Sequence, residues 1–168
     1  METNDYVFFY GHTPNNCGLH VFSQWYPITF KEKLGDLEFA YSNAEQYMMA
    51  HKAMLFGDDY YLKKILEESD PGKVKKFGRC INNFDPDVWD KHKFNIVVQA
   101  SRLKFGQNSA LMERLLKTGT KTIVEASPYD KIWGIGLTKE KAVKIPEDEW
   151  PGLNLLGKAL MVVRDENI

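Results

Sequence analysis

The sequence predicts an α+β protein, mainly α-helical with a small mixed β-sheet, forming a single domain over residues 1–168. Three observations carry that expectation. The first forty residues hold short β-branched and aromatic runs separated by the turn-rich stretches HTPNNCG and KEKLGD. From Ser42 onward apolar residues recur at helical spacing, in segments that open on Ser or Asp and close at Gly. At 168 residues the chain can bury roughly two-thirds of its unfolded surface in one core.

In order, Tyr6 to Tyr10, Val21 to Phe22, Ile28 to Phe30 and Leu37 to Tyr41 read as short strands. Ser42-Asn43-Ala44-Glu45 has the form of a capping box, Ser42 bonding the N–H of Glu45 and Glu45 reaching back, so a first helix runs to Gly57. Asp58 caps a second helix through Glu68, with Tyr61, Leu62, Ile65 and Leu66 inward. Asp70-Pro71 opens a short third that ends before Gly78. A fourth starts at Asp85-Pro86 and carries Trp89, Lys93, Ile96, Val97, Ala100 and Leu103 at helical spacing. Ser109 to Lys117 gives a fifth, stopped at Gly119. Thr122 to Glu125 is strand-like, Ser127 to Leu137 is a loop, and Leu153 to Arg164 forms the last helix.

The formal net charge of −1 argues against a protein that coats long nucleic acid, which needs many cationic contacts to phosphate. A local cluster, Lys73, Lys75, Lys76 and Arg79, is large enough to hold one or two phosphates, or is simply a solvated helix face. Cys17 and Cys80 form neither a disulfide framework nor a metal-ligand spacing, and His12, His20, His51 and His92 are scattered, so no metal is expected. No leader peptide and no apolar run of spanning length is read, which points to a soluble, cytoplasmic protein off the membrane.

The segment SNAEQYMMAHKAMLFG concentrates the chemistry. It is apolar around most of its circumference, as buried helices are, yet it carries Glu45 and Lys52 two turns apart on one stripe. Isolated buried charges are among the costliest features of a fold, so the pair is expected to face each other, a ligand or a cleft. A structural reading stands beside this one, in which Glu45 starts the helix and Lys52 lifts its ammonium to water.

The loop SPYDKIWGIGL is the second informative element. Gly134 and Gly136 let the backbone approach a ligand closely, Asp130 suits a sugar diol and Trp133 a flat base. Equally, this is a plain surface loop with Trp133 turned into the core.

These segments bring a resemblance. SNAEQYMMAHKAMLFGD, KFGRCI, FDPDVWDKHKFNIV, ASRLKFGQN, LLKTGTKTIVEASPYDKIWGIGL and GLNLLGKALMVVR resemble, in order and spacing, the motifs of the NADAR family, the domain named for its association with NAD and ADP-ribose, whose bacterial members are called YbiA-like. The likeness spans roughly residues 8 to 164. One departure is Gln24, which stands where the family's early Leu-Ser-Asn-Phe-Tyr-like segment has Asn; Ser23 precedes it.

The resemblance implies a YbiA-like fold and an N-glycosidase without cofactor. It implies that the enzyme breaks a ribose–nitrogen bond, foremost in ADP-ribosylated guanine of DNA or RNA, and alternatively in phosphorylated aminouracil intermediates of riboflavin synthesis. A non-catalytic ADP-ribose-binding module is a third reading. Partners are then an ADP-ribosylated nucleobase or nucleic acid, or a small phosphorylated ribosyl substrate, with the protein a monomer. Lys52 matches the lysine that attacks the anomeric carbon through a Schiff base, and Glu45 the acidic position. Asp130 is a second candidate acid. Trp89 and Trp133 match pocket motifs as base-stacking rings, Arg79 is placed at the phosphate, and Ser23, Gly134, Gly136 and Asn154 among the substrate contacts. Asn154 alternatively caps the last helix.

The residue types fit that reaction. Cleaving a ribose–nitrogen bond builds positive charge on the ring while the leaving nitrogen needs a proton, which carboxylates serve. A lysine attacks only as the free amine, and desolvation on an apolar helix lowers its pKa in that direction.

Overall fold

A computed structural model describes residues 1–168. In chain order the elements are β1 (Tyr6–Phe9), β2 (Phe30–Leu34), β3 (Leu37–Tyr41), α1 (Ala44–Leu55), α2 (Asp59–Leu66), α3 (Pro71–Arg79), α4 (Pro86–Gly106), α5 (Ser109–Leu116), β4 (Thr122–Glu125), α6 (Lys139–Ala142) and α7 (Leu155–Glu166). The α+β class holds, with the strands in two separate two-stranded ladders rather than one mixed sheet. No helix is long and apolar enough to cross a membrane. The chain divides into two units, residues 24–107 and residues 1–23 with 108–168.

In the first unit β2 and β3 form an antiparallel hairpin, Phe30 opposite Tyr41 and Leu34 opposite Leu37. The expected strand at Ile28 begins only at Phe30 and runs on through Lys31-Glu32-Lys33-Leu34, a stretch whose polarity reads as a turn. The strand alternates as half-buried strands do, but its second inward residue is a carboxylate, Glu32.

Helix α1 is the centre of this unit, buried from Ala44 to Ala50 and packed against α2, α3 and α4. Its cap differs from the expected box by one residue. Asn43 is the cap, its Oδ1 accepting the Gln46 N–H at 2.8 Å, while the Gln46 Oε1 accepts the Ser42 N–H at 2.7 Å. Glu45 therefore has no part in the box.

Asp58 caps α2 through the Tyr61 N–H and also accepts two bonds from Asn82, fixing the turn that leads to α4. Helix α3 does not stop before Gly78. It continues to Arg79, because a side chain at Gly78 would overlap Met49 of α1; the glycine marks a close helix crossing, not a terminus. Helix α4 starts at Pro86 with Asp85 as its cap.

In the second unit β1 pairs in parallel with β4, Tyr6 opposite Thr122 and Phe9 opposite Glu125. Its core gathers Phe8, Val124, Ala126, Ile135 and Ala142, flanked by Tyr6, Leu137 and Trp150. The expected strand at Val21–Phe22 is instead a 3-10 turn over Leu19–Phe22, entered through Gly18 at φ 65°. Two apolar residues without a partner strand cannot form a ladder, so Leu19, Val21 and Phe22 bury themselves from a turn.

Candidate active site

The amine of Lys52 is held in a small frame built by three elements of residues 24–107. Near the end of α1, its Nζ donates to the carbonyl oxygen of Gly78 on α3 at 2.9 Å. The same nitrogen lies 4.5 Å from the ring centroid of Phe84, just before α4, and 5.4 Å from that of Trp89 in α4. Phe84 is steadied by an edge-on contact with Phe56 at 5.3 Å. One carbonyl and two aromatic faces thus surround a partly buried amine.

Burial is the main influence on that amine and lowers its pKa below the ordinary lysine value. The charge of Glu45 opposes the shift and the nearby positive charge of Arg79 adds to it. Glu45 is 5% exposed in the first turn of α1, two turns from Lys52. Helix α3 presents Lys73, Lys75, Lys76 and Arg79 to solvent, and of these the Arg79 charge acts on the Lys52 amine.

Glu32 of β2 supports α1 from the hairpin. Its carboxylate, 8% exposed, accepts from Tyr41 Oη at 3.1 Å and Tyr47 Oη at 2.7 Å, and lies 2.7 Å from His51 Nε2. Burial, with the carboxylate second, pushes both tyrosine pKa values well above the ordinary range, so both phenols stay protonated and donate. The ring of His51 stacks on Tyr47 at 4.2 Å. Tyr47 and His51 sit one turn apart on α1, and this network fixes the helix rotation that sends the next side chain, Lys52, toward α3 and α4.

The structure thus brings Lys52, Glu45, Arg79 and Trp89 together within residues 24–107. The remaining candidates belong to the other unit. Asp130 is occupied locally, its Oδ1 accepting the N–H groups of Ile132 and Trp133 at 2.8 Å each. Trp133 is partly buried. At Gly134 a side chain would press on the Asp130 and Glu125 carbonyls and on Ser127, so packing within the loop already demands glycine there; Gly136 has φ 70°. Ser23 is buried in extended backbone after the 3-10 turn.

Asn154 precedes α7 but its side chain makes no cap bond. Its Oδ1 accepts the Glu125 N–H at 3.0 Å and its Nδ2 donates to the Ile123 carbonyl at 2.9 Å. Both ends of the amide are therefore committed to β4. No group of three or more His, Cys, Asp or Glu side chains is placed to hold a metal ion.

Sequence reasoning missed Gly78 and Phe84. A glycine inside the otherwise helical KVKKFGRC is a signal of close packing that was available, since glycine is costly there without a reason. Phe84, in NNFDP, carries no such signal.

A family model described as the NADAR domain matches residues 8–166. The chain is 63% identical over 168 residues to N-glycosidase R617 of Acanthamoeba polyphaga mimivirus, covering 99% of each. It is 34% identical over 126 residues to N-glycosidase Npun_R5314 of Nostoc punctiforme, covering 75% of this chain and 74% of that one. Its fold is similar to the solution structure of the E. coli protein YbiA, with a TM-score of 0.76, 24% identity, and coverage of 99% of this chain and 87% of that one.

Proposed function

Because the chain belongs to the NADAR domain family, we propose that it is an N-glycosidase that releases ADP-ribose from ADP-ribosylated guanine in DNA or RNA, with Lys52 as nucleophile. The observation that carries the reading is the Lys52 frame: a partly buried amine with lowered pKa, on the same helix as a buried carboxylate. A full-length relative named as an N-glycosidase supports the reaction class.

The steps balance as follows. The Lys52 lone pair forms a bond to the anomeric carbon as the bond from that carbon to the base nitrogen breaks, and the base leaves with a proton from Glu45. Glu45 recovers the proton that the new amine sheds and passes it to the ring oxygen, which leaves the anomeric carbon as a hydroxyl, giving the open-chain Schiff base. Water adds to that carbon, and free lysine and sugar return. Trp89 stacks on the departing base, and Arg79 with Lys75 and Lys76 meets the phosphates. Several cations on one helix suit a pyrophosphate or a polynucleotide better than a single phosphate.

Chromatography of the products from three substrates tests this: ADP-ribose and unmodified oligonucleotide from an ADP-ribosylated guanine oligonucleotide, ADP-ribose and guanosine from ADP-ribosylguanosine, and free base from a phosphorylated aminouracil riboside. Release from the first two supports the reading. Release from the third alone moves the substrate to a riboflavin precursor, and binding of ADP-ribose without any release makes the chain a binding module.

A further inference from the structure

The ring of Phe84 is 45% exposed, yet it lies 4.5 Å from the Lys52 amine, nearer than the partly buried Trp89 at 5.4 Å. Its place is fixed from both directions of the chain. Asn82 gives its backbone and side-chain N–H groups to Asp58 at 2.8 and 3.0 Å, and Asn83 turns the chain through φ 62°. Asp85 caps α4 through the N–H groups of Asp87 and Val88. Phe56 braces the ring itself, edge-on at 5.3 Å. Local structure thus holds an aromatic face against an amine rather than in a core.

What a ring face offers an amine depends on the amine's charge. The face carries negative potential and attracts a cation, more strongly where water is excluded, whereas a neutral amine beside the same ring gains only packing. The reacting form of Lys52 is the neutral amine. As its lone pair bonds the anomeric carbon and the base departs, Nζ becomes a positive ammonium. After that nitrogen sheds a proton and the ring oxygen leaves as a hydroxyl, Nζ is positive again in the protonated Schiff base. Only interactions that strengthen between the ground state and the transition state raise the rate, and a ring face beside a nitrogen gaining charge is one of them. The Gly78 carbonyl accepts one N–H from Nζ at 2.9 Å, and the Phe84 face meets the same nitrogen without acting as a base toward it.

We propose that Phe84 is a further catalytic residue, whose ring face stabilises the positive charge that forms on Lys52 Nζ during attack and in the protonated Schiff base. The inference rests on the reading of Lys52 as nucleophile and supplies the group that meets its charge.

Fluorination is the test, because each fluorine drains negative potential from the ring face and leaves its shape nearly unchanged. The full chain is prepared with mono-, di- and trifluorinated phenylalanine at position 84. Turnover of ADP-ribosylguanosine to ADP-ribose and guanosine should slow stepwise, kcat falling about tenfold for the trifluorinated ring with KM within about twofold of wild type. Acylation of Lys52, which needs no substrate, should move stepwise to lower pH, since a weaker ring face favours the neutral amine. Phe84→Leu, an apolar cover without a π face, should lose at least as much kcat as the trifluorinated ring. In an enzyme that turns over, a kcat indifferent to fluorination or an unmoved acylation profile overturns the proposal and makes Phe84 an apolar cover. Failure of the underlying reading looks different: the wild type then gives neither turnover nor a hydride-trapped sugar adduct on Lys52 while the acylation profile still follows fluorination, and the catalytic role falls although the contact stands.

Discussion

Lys52 on α1 and Gly78 on α3 are joined by a 2.9 Å hydrogen bond from amine to backbone carbonyl, one helical turn from where Met49 fills the space that a side chain at Gly78 would occupy. The close helix crossing and the position of the amine are thus one feature. Gly78→Ala should destabilise the protein by about 1–3 kcal/mol in urea unfolding, the usual cost of overpacking. Met49→Ala in the same chain should recover most of that loss, a coupling that a double-mutant cycle would measure. Additive losses would show that the two residues do not share the space.

The charges around Lys52 predict a pH signature. Burial lowers its pKa, Arg79 lowers it further and Glu45 raises it. Acylation of Lys52 by an amine-reactive reagent, followed by mass spectrometry, should therefore rise with pH at lower values than for an exposed lysine. Arg79→Gln removes a like charge, so its profile should shift to higher pH. Glu45→Gln removes an opposite charge and should shift it to lower pH. Profiles that coincide would mean that neither residue senses the amine.

Lys104 on α4 is 1% exposed, and burial pulls its pKa down to about 7 from the ordinary 10.5. Between those values the unfolded chain binds more protons than the folded one, so this group makes stability rise with pH across that interval and leaves it flat and lowest below about 7. Lys104→Met should raise the Tm most at about pH 6, with the advantage shrinking toward pH 10. Calorimetric melts across that range check it, and an advantage independent of pH would contradict it.

Asn154 separates structure from substrate binding. Its amide bonds both Glu125 and Ile123 of β4, and its backbone sits at φ 54°. Asn154→Ala should cost about 1–3 kcal/mol in stability by leaving buried backbone groups unpaired. KM of the folded fraction should stay within twofold of wild type; a large rise in KM would return Asn154 to the sugar.

The sequence exposed most of the helices because their ends carry chemistry: Asp58, Asp70-Pro71 and Asp85-Pro86 each start one. The length of β2 was hidden because its inward residue is Glu32, and a carboxylate reads as a turn or surface residue until Tyr41, Tyr47 and His51 are seen around it. Helical spacing set Glu45 and Lys52 on one stripe of an apolar helix and left a capping and snorkelling reading open beside the chemical one; their proposed roles came from the family resemblance. The glycine in KVKKFGRC signalled close packing, but the use of the Gly78 carbonyl and of the Phe84 ring face was not legible, because both depend on tertiary packing that brings them beside the Lys52 amine.

Reductive trapping is the most direct test of the central proposal. ADP-ribosylated guanine oligonucleotide is incubated with enzyme and a mild hydride donor, and the digested protein is analysed by mass spectrometry. The account predicts a reduced sugar adduct on the peptide containing Lys52, with both the adduct and the release of unmodified oligonucleotide absent in Lys52→Ala. Full activity in Lys52→Ala with no adduct on the wild type would contradict it.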